Sequence, residues 1–321
     1  MYLISEDTLK LMLWQKHNML YDIIIIGSGP AGLTASIYAA RAQKKVLVIE
    51  KEAFGGMITH SPKVENYPGY NVISGLDLAD KFVSQAMDLK VAFEFDEVKE
   101  ITKEDGKFVL NCQYNTFEAK SVIIATGSKH RHLNLENEEK LTGHGISYCA
   151  VCDGPFYTGK DVVIVGGGNS AMQEALLLSS YCNSVTMIQN LNCFTGESSL
   201  AEQIENTENI KVLFNKLVVG LNGVDNLESI TIKDTNTQEI SLIETCSVFV
   251  AIGQQANNEP FKNVCDLNKQ GFIISNELCH SKVNGIFVAG DCIDKKVRQI
   301  VTATADGSIA ALQAIKYVDS L

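Results

Sequence analysis

DIIIIGSGPAG at residues 22–32 and DVVIVGGGNSA at residues 161–171 decide the fold. Each stretch is a continuous apolar strand, then a glycine turn spaced G-x-G-x-x-G or G-x-G-x-x-A, then an Ala-rich or Leu-rich helix. In this context glycine lets the backbone approach a pyrophosphate closely, and the helix N-terminus offers free N–H groups to the phosphates. Two such copies predict an α/β chain with two Rossmann-like nucleotide-binding domains.

The two copies differ in the residue that would bind the ribose. The strand after the first turn ends in Glu50, 23 residues after Gly27, where an acid can bond ribose hydroxyls. The same offset from Gly166 falls on Gln189, and the chain holds no Lys or Arg from Gly166 to Ile210. A phosphate of about −1.5 to −2 charge would find no cation there, so the second site is doubtful for NADPH.

A dithiol motif precedes the second turn. Cys149 and Cys152 form the chain's one Cys-x-x-Cys pair, a spacing that closes a small disulfide and recurs in thiol exchange enzymes. Asp153 follows directly and could shuttle the proton that each thiolate exchange requires. A zinc site is not expected, because a second Cys-x-x-Cys or a spaced His pair is missing. The other seven cysteines, which have no framework spacing, are Cys112, Cys182, Cys193, Cys246, Cys265, Cys279 and Cys292.

Composition excludes several classes of protein. The chain has 321 residues, 45% of them hydrophobic, which suffices for two cores. A net charge of −11 argues against wrapping nucleic acid or an anionic membrane. We expect a cytoplasmic protein, because the first twenty residues match neither a secretion signal nor a membrane span. We assign residues 1–19 to an N-terminal extension and favour a start-site artefact over an appended helix for residues 1–18.

From about residue 20 to its end, the chain resembles the low-molecular-weight thioredoxin reductases. The motifs that carry the resemblance are, in order, GSGPAGLTASIYAAR (27–41), GGM (55–57), VENYPG (64–69), ATG (125–127), SYCAVCDG (147–154), GGGNSA (166–171) and VAGD (288–291). The resemblance implies two Rossmann-like domains of the three-layer ββα type, the second inserted into the first. It assigns residues 20–129 and 254–321 to FAD binding, and residues 130–253 to a nicotinamide-domain-like insert that carries the redox-active pair.

The same resemblance implies a flavin-dependent enzyme that reduces thioredoxin through Cys149 and Cys152, with Asp153 as proton carrier and a homodimer as the assembly. It also implies that the insert rotates to expose the dithiol, with Gly127 and Gly253 as hinge positions. The positions that it assigns to FAD are Gly27, Ser28, Gly29, Pro30, Ala31, Gly32, Glu50, Gly56, Met57, Asn66, Ala125, Gly127, Gly290, Asp291, Arg298 and Gln299.

The electron donor is where the chain departs from the family pattern. Ordinary members place arginines where this chain has Gln189, Asn190 and the uncharged run that follows. The absence of these arginines resembles a subset of the family that takes electrons from ferredoxin. Ferredoxin is acidic, so docking would need a basic patch, for which Lys295, Lys296 and Arg298, or Lys129 and Arg131, are candidates. Two alternatives stay open: an NADPH-dependent enzyme with atypical cofactor recognition, and a flavin dithiol oxidase.

Overall fold

A computed structural model describes residues 19–61 and 63–321, so residues 1–18, nearly all of the predicted N-terminal extension, lie outside the described residues. The chain divides into two compact units. The first unit takes in the chain up to Lys129 and again Gln255–Leu321, and the second unit is His130–Gln254.

Both units combine strand–helix alternation with runs of consecutive strands. The strands are β1 (Leu20–Ile26), β2 (Val46–Glu50), β3 (Ala92–Phe95), β4 (Val98–Glu104), β5 (Lys107–Cys112), β6 (Thr116–Ile124), β7 (Lys129–His130), β8 (Ile146–Ser147), β9 (Asp161–Val165), β10 (Ser184–Ile188), β11 (Ile210–Leu213), β12 (Lys216–Asn222), β13 (Ser229–Asp234), β14 (Ile240–Glu244), β15 (Val248–Val250), β16 (Gln254–Gln255) and β17 (Ile286–Val288). The α-helices are α1 (Pro30–Arg41), α2 (Gly75–Asp88), α3 (Glu138–Leu141), α4 (Ala150–Asp153), α5 (Asn169–Ser179), α6 (Ser198–Glu205) and α7 (Ile300–Asp319). Short 3₁₀ turns cover Gly56–His60, Gly154–Tyr157, Glu259–Phe261 and Gly290–Cys292.

The first unit is built on a sheet of order β3-β2-β1-β6-β5-β4, with β17 also paired to β6. Strands β2, β1, β6 and β17 run parallel, whereas β4, β5 and β6 form an antiparallel meander. Ile23 and Ile25 belong to the core under α1 and α7, while Ile24 and Ile26 belong to the core that includes Phe108 of the meander. Burial on both faces explains why the strand is a nearly unbroken run of isoleucine.

Helices α1 and α7 approach each other closely over this sheet. A Cβ atom at Gly307 would lie 2.2 Å from the Ala31 carbonyl oxygen, so the contact tolerates no side chain at that point of α7. The close approach fixes the start of α1, and with it the first glycine turn.

The second unit repeats the scheme with a parallel sheet of order β11-β10-β9-β15-β8 and a separate antiparallel sheet β12-β13-β14. Val162 and Ile164 of β9 pack in the core beneath α5, and Val163 and Val165 pack in the core that includes Ile230 of β13. The prediction of an α/β fold with two Rossmann-like units is therefore confirmed. Within residues 19–61 and 63–321, no helix has the length and apolar character needed to cross a bilayer.

Candidate active site

The first glycine turn leaves an open, amide-lined space at the start of α1. Gly27 has a φ of 102° and no room for a side chain, because a Cβ atom there would lie 2.3 Å from the Ala125 carbonyl oxygen. A Cβ atom at Gly32 would lie 1.9 Å from the Gly27 carbonyl oxygen. Gly29, in contrast, caps the helix without a side-chain hydrogen bond, and a Cβ atom there would meet nothing within 4 Å. This open helix N-terminus suits an anionic pyrophosphate.

Glu50 lies at the end of β2 and braces the same turn. Its Oε2 accepts hydrogen bonds from the Ser28 N–H at 2.8 Å and the Ser28 hydroxyl at 2.7 Å. Its Oε1 accepts from the Lys51 and Glu52 N–H groups at 2.8 and 2.9 Å. The link to Ser28 was not predicted from sequence, since it joins residues 22 positions apart. Ribose binding by Glu50 stays a prediction.

Other positions assigned to the flavin gather near this turn. A Cβ atom at Gly56 would lie 3.0 Å from the Gly29 Cα atom, so the GGM segment approaches the glycine turn directly. The Asn66 amide donates to the Gln299 side-chain oxygen at 3.2 Å, which joins two predicted residues that are far apart in the chain. Met57 is exposed.

Asp291 carries a buried acceptor atom. It sits in the 3₁₀ turn that follows β17, and its Oδ1 is buried with no hydrogen-bond donor among the described residues. Lys295 Nζ lies 3.7 Å from that oxygen. Burial raises the pKa of Asp291, and Lys295 and Arg298 oppose the rise. A buried carboxylate oxygen without a donor matches a ligand hydroxyl, so the residues present fit an FAD ribityl chain.

The basic residues near Asp291 are mostly engaged within the chain. Lys295 Nζ pairs with Asp306 Oδ2 at 2.5 Å. The Arg298 guanidinium lies 4.3 Å from the centre of the Phe272 ring and donates to backbone oxygens. Lys129 is also ion-paired. Lys295 and Arg298 are therefore poor docking cations. Exposed Lys129, Lys296 and Arg131 remain from the predicted patches, since the pair of Lys129 with Glu52 lies at the surface.

Cys149 and Cys152 form a disulfide at the start of α4, with Cα atoms 5.3 Å apart. Cys149 is the N-cap residue, and its Sγ accepts a hydrogen bond from the Cys152 N–H at 3.2 Å. An amide aimed at this sulfur would stabilise a thiolate there after reduction. Both cysteines are partly buried.

Asp153 is held beside the pair by Ser147. The Ser147 hydroxyl donates to Asp153 Oδ2 at 2.6 Å and accepts from the Cys149 N–H at 3.1 Å. Asp153 Oδ1 is buried and has no hydrogen-bond partner in the described part of the chain. Burial raises the pKa of Asp153, and the Ser147 hydrogen bond opposes that rise. Such a carboxyl group can hold a proton closer to neutral pH than an exposed aspartate can.

A second polar network lies directly before the dithiol and was missed from sequence. The Tyr148 hydroxyl donates to Glu138 Oε1 at 2.8 Å and lies 2.8 Å from His132 Nδ1. Burial and the contact with Glu138 raise the pKa of Tyr148. The network ties the residue before Cys149 to α3.

The second glycine turn repeats the contacts of the first. A Cβ atom at Gly167 would lie 2.4 Å from Nε2 of Gln189, which is only 5% exposed and donates to the Cys193 carbonyl oxygen at 3.2 Å. The Thr195 N–H donates to the Gly167 carbonyl oxygen at 2.8 Å, as the Gly55 N–H donates to the Ser28 carbonyl oxygen at 3.0 Å. Gly168, the counterpart of Gly29, is nearly as open, because a Cβ atom there would meet only the Thr195 hydroxyl oxygen, at 3.7 Å.

An acidic residue lies beside the start of α5. The Glu197 N–H donates to Asn169 Oδ1 at 2.7 Å, and Asn169 Nδ2 donates to Glu197 Oε1 at 3.1 Å. Asn169 is the first residue of α5, so this carboxylate adds negative charge near a helix N-terminus that a phosphate would approach. The sequence predicted the lack of cations here, but not the contact between Glu197 and Asn169.

Comparisons with known proteins agree with this architecture. A sequence model of the pyridine nucleotide-disulphide oxidoreductase family matches residues 21–307. The chain is 38% identical over 303 residues to a thioredoxin reductase of Bacillus subtilis, covering 94% of this chain and 96% of that one. It is 39% identical over 298 residues to a "34.2 kDa protein in rubredoxin operon" of Clostridium pasteurianum, covering 92% and 97%. The crystal structure of a thioredoxin reductase from Streptococcus pyogenes superposes with a TM-score of 0.91 at 34% identity, covering 95% of this chain and 100% of that one.

Proposed function

The chain belongs to the pyridine nucleotide-disulphide oxidoreductase family, within its thioredoxin reductases, and from that premise we propose that it reduces thioredoxin through Cys149 and Cys152 with electrons from ferredoxin rather than NADPH. It is an FAD-dependent disulfide oxidoreductase. A cytoplasmic homodimer belongs to the same proposal and rests on the resemblance alone.

The first unit would hold FAD with the residues gathered around its glycine turn. The amides at the start of α1 would bind the pyrophosphate, Glu50 the ribose and Asp291 the ribityl hydroxyls. Bound FAD supplies a reversible two-electron store that can be filled one electron at a time. The support is the open space at Gly29 together with the donorless Asp291 Oδ1. The other positions proposed to line the cofactor are Gly27, Ser28, Pro30, Ala31, Gly32, Gly56, Met57, Asn66, Ala125, Gly127, Gly290, Arg298 and Gln299.

The residues around the dithiol would manage its protons. Reduction of the disulfide takes two electrons and two protons and gives two thiols. Asp153 would release a proton to one sulfur and regain it when that sulfur attacks, while the Cys152 N–H stabilises the Cys149 thiolate. The attack on the thioredoxin disulfide forms a mixed disulfide, and the remaining thiol resolves it, so that thioredoxin leaves as a dithiol and the pair is reoxidised.

The charge around the second turn is the observation that carries the choice of donor. Gln189 takes the place that Glu50 has at the first turn, and Glu197 lies beside Asn169 at the start of α5. A dinucleotide would gain no cationic partner from residues 166–210. A small acidic iron–sulfur protein needs no such site, since it docks on a surface. The name of the Clostridium relative places that protein in a rubredoxin operon.

Anaerobic stopped-flow spectroscopy of the FAD-loaded protein tests the proposal. NADPH, NADH and reduced ferredoxin are offered in turn with oxidised thioredoxin present, and loss of flavin absorbance and formation of free thioredoxin thiols are followed. Rapid reduction by ferredoxin alone is expected. Rapid reduction by NADPH would refute the donor assignment, and rapid reoxidation by air with a small dithiol as reductant would favour the oxidase.

Cysteine variants test the dithiol separately from the donor. Cys149→Ser and Cys152→Ser are expected to keep FAD and to abolish thioredoxin reduction. Cys193→Ser, which changes an exposed free cysteine in the same unit, is the matched control and is expected to keep full activity. Full activity in Cys152→Ser would overturn the dithiol mechanism.

A further inference from the structure

One lysine of the first unit lies behind the carboxyl group that we assign to the flavin. Lys295 follows the 3₁₀ turn that holds Asp291, and its Nζ lies 3.7 Å from Asp291 Oδ1. That distance is too long for a hydrogen bond and short enough for an ion pair. The Lys295 side chain is only 17% exposed, so water screens its charge less than it would at the surface. A partly buried cation therefore faces the Asp291 oxygen that lacks a hydrogen-bond donor among the described residues.

Asp306 fixes the position of this lysine. It lies on α7, and its Oδ2 pairs with Lys295 Nζ at 2.5 Å and accepts from the Gly290 N–H at 3.1 Å. Gly290 directly precedes Asp291, so one carboxylate oxygen holds both the backbone of the turn and the ammonium group behind it. A Cβ atom at Gly290 would lie 2.8 Å from the Ala31 Cβ atom, which places this turn against the start of α1. Asp291, Lys295 and Asp306 therefore form a row of alternating charge beside the first glycine turn.

The charged groups around Asp291 act on it in opposite directions. The titratable groups that face it are Lys295 and Arg298 in its own segment, Asp306 on α7 and the Cys292 thiol, and the first two turns of α1 carry no titratable side chain. Burial, the largest effect, raises the pKa of Asp291. Lys295 opposes this rise more strongly than Arg298 does, and Asp306 adds to it. The ionised form of Asp291 thus depends on Lys295 more than on any other side chain.

We infer that Lys295 is a positioning residue for FAD, which holds Asp291 ionised so that its buried oxygen accepts a ribityl hydroxyl, and that Asp306 limits this effect by sharing the same ammonium group. The inference rests on the proposed function, in that it takes Asp291 as the acceptor for the ribityl chain. It gives Lys295 a role in cofactor binding in place of the docking role that the sequence predicted.

The two members of the ion pair should affect the pH dependence of FAD release in opposite ways. An ionised carboxylate is the stronger hydrogen-bond acceptor, so FAD should leave faster as the pH falls and Asp291 takes up a proton. Lys295→Met removes the attraction that favours the ionised form, so the faster release should begin at a higher pH than in the wild type. Asp306→Asn removes the competing carboxylate and keeps an acceptor for the Gly290 N–H, so the faster release should begin at a lower pH. A pair that only braced the turn would give faster release in both variants, by a factor independent of pH.

The test is the rate at which the holoenzyme releases FAD between about pH 4.5 and pH 8.5. FAD-loaded protein is diluted, free flavin is separated by rapid filtration, and its absorbance is followed over time. In the pH range where the wild type still releases FAD slowly, Lys295→Met is expected to release it about tenfold faster, the lower end of the value of a hydrogen bond to a charged group. Lys295→Arg keeps the cation and should restore a profile close to that of the wild type.

Two further variants make the result specific. Lys296→Met removes the same charge from the neighbouring exposed residue and should leave the profile unchanged. Asp291→Asn does not titrate, so its release rate should lose the rise at low pH. A Lys295→Met profile that matches the wild type would overturn the inference. An Asp306→Asn profile that does not shift to lower pH would overturn it as well, whether or not Lys295→Met folds.

The same measurements separate this inference from the proposed function. If Asp291→Asn releases FAD with the wild-type profile, the assigned role of Asp291 fails and the inference fails with it. If Asp291→Asn flattens the profile while both ion-pair variants leave it unchanged, only the inference fails. If the profiles shift as predicted but the FAD-loaded enzyme does not reduce thioredoxin, the function fails while the role of Lys295 stands.

Discussion

Replacing Glu174 with Gln should stabilise the second unit above neutral pH. Burial raises the pKa of Glu174 from 4.5 to about 7 in the folded chain. At about 1.36 kcal/mol for each pKa unit, ionising this carboxyl group in the folded state costs about 3 kcal/mol more than in the unfolded state. Because the pKa is higher in the folded state, the contribution of Glu174 to the free energy of unfolding is fully present below pH 4.5 and is lost as the pH rises through about 7. Gln does not titrate, so the variant loses no stability over this pH range.

Hydrogen exchange of the β9 amides measures the effect inside the second unit. Strand β9 is buried beneath α5, so its slowest amides report opening of the core that holds Glu174. Intrinsic exchange rates cancel when variant and wild type are compared at the same pH. Between about pH 5 and pH 8.5, the protection of Glu174→Gln relative to wild type should rise by roughly a hundredfold, which corresponds to about 3 kcal/mol.

Glu202→Gln is the control for this prediction. Its amide protection relative to wild type should stay constant with pH, because that carboxylate is exposed. A constant ratio for Glu174→Gln as well would mean that Glu174 titrates like an ordinary glutamate.

Three further predictions concern the cofactor turn and the dithiol. Gly29→Ala should change the stability of the flavin-free protein by no more than about 1 kcal/mol yet weaken FAD binding at least about tenfold. Gly32→Ala should destabilise the fold itself by about 1–3 kcal/mol, because its Cβ atom meets the Gly27 carbonyl oxygen. Chemical denaturation measures the change in stability, and flavin titration measures the change in FAD binding. Asp291→Ala should speed FAD dissociation about 10- to 100-fold, the value of a hydrogen bond to a charged group, and an unchanged rate in flavin release would remove Asp291 from the site. Asp153→Asn should slow single-turnover thiol exchange by about a hundredfold, and a pH–rate profile identical to the wild type would exclude Asp153 as the proton carrier.

The sequence was sufficient for features determined by local pattern. The isoleucine and valine runs before the glycine turns predicted buried parallel strands, and β1 and β9 are buried as expected. The glycine spacing predicted two turns, and Gly27 and Gly166 have the positive φ angles that favour glycine. The Cys-x-x-Cys spacing likewise predicted a disulfide that the structure contains.

The sequence was not sufficient where a side chain is recruited by tertiary packing. Ser28 meets Glu50 because β1 and β2 are neighbours in the sheet, a pairing that no local spacing encodes. Ala150 meets α5 for the same kind of reason, since the dithiol turn and that helix touch only after the core of the second unit forms. Lys295 was expected on a docking surface, yet its ammonium group lies between Asp291 and Asp306. A lysine's long stem allows either outcome, and only the positions of its neighbours decide between them.

The two glycine turns together show what such a motif can and cannot say. Both need glycine for packing, since a Cβ atom at Gly27 would lie 2.3 Å from the Ala125 carbonyl oxygen and one at Gly166 would lie 2.4 Å from the Ala251 carbonyl oxygen. That need exists whether or not a nucleotide binds, so the glycine pattern alone does not distinguish a binding turn from a structural one. The position nearest a phosphate is open in both, since a Cβ atom would meet nothing within 4 Å at Gly29 and only the Thr195 hydroxyl oxygen, at 3.7 Å, at Gly168. What differs is the side chain that faces the residue between the two glycines, which is Glu50 at Ser28 and Gln189 at Gly167. The second turn starts α5, the helix that packs against Ala150 between the two cysteines. A chain that no longer bound a dinucleotide there would still need the turn, and its glycines, to hold α5 in place.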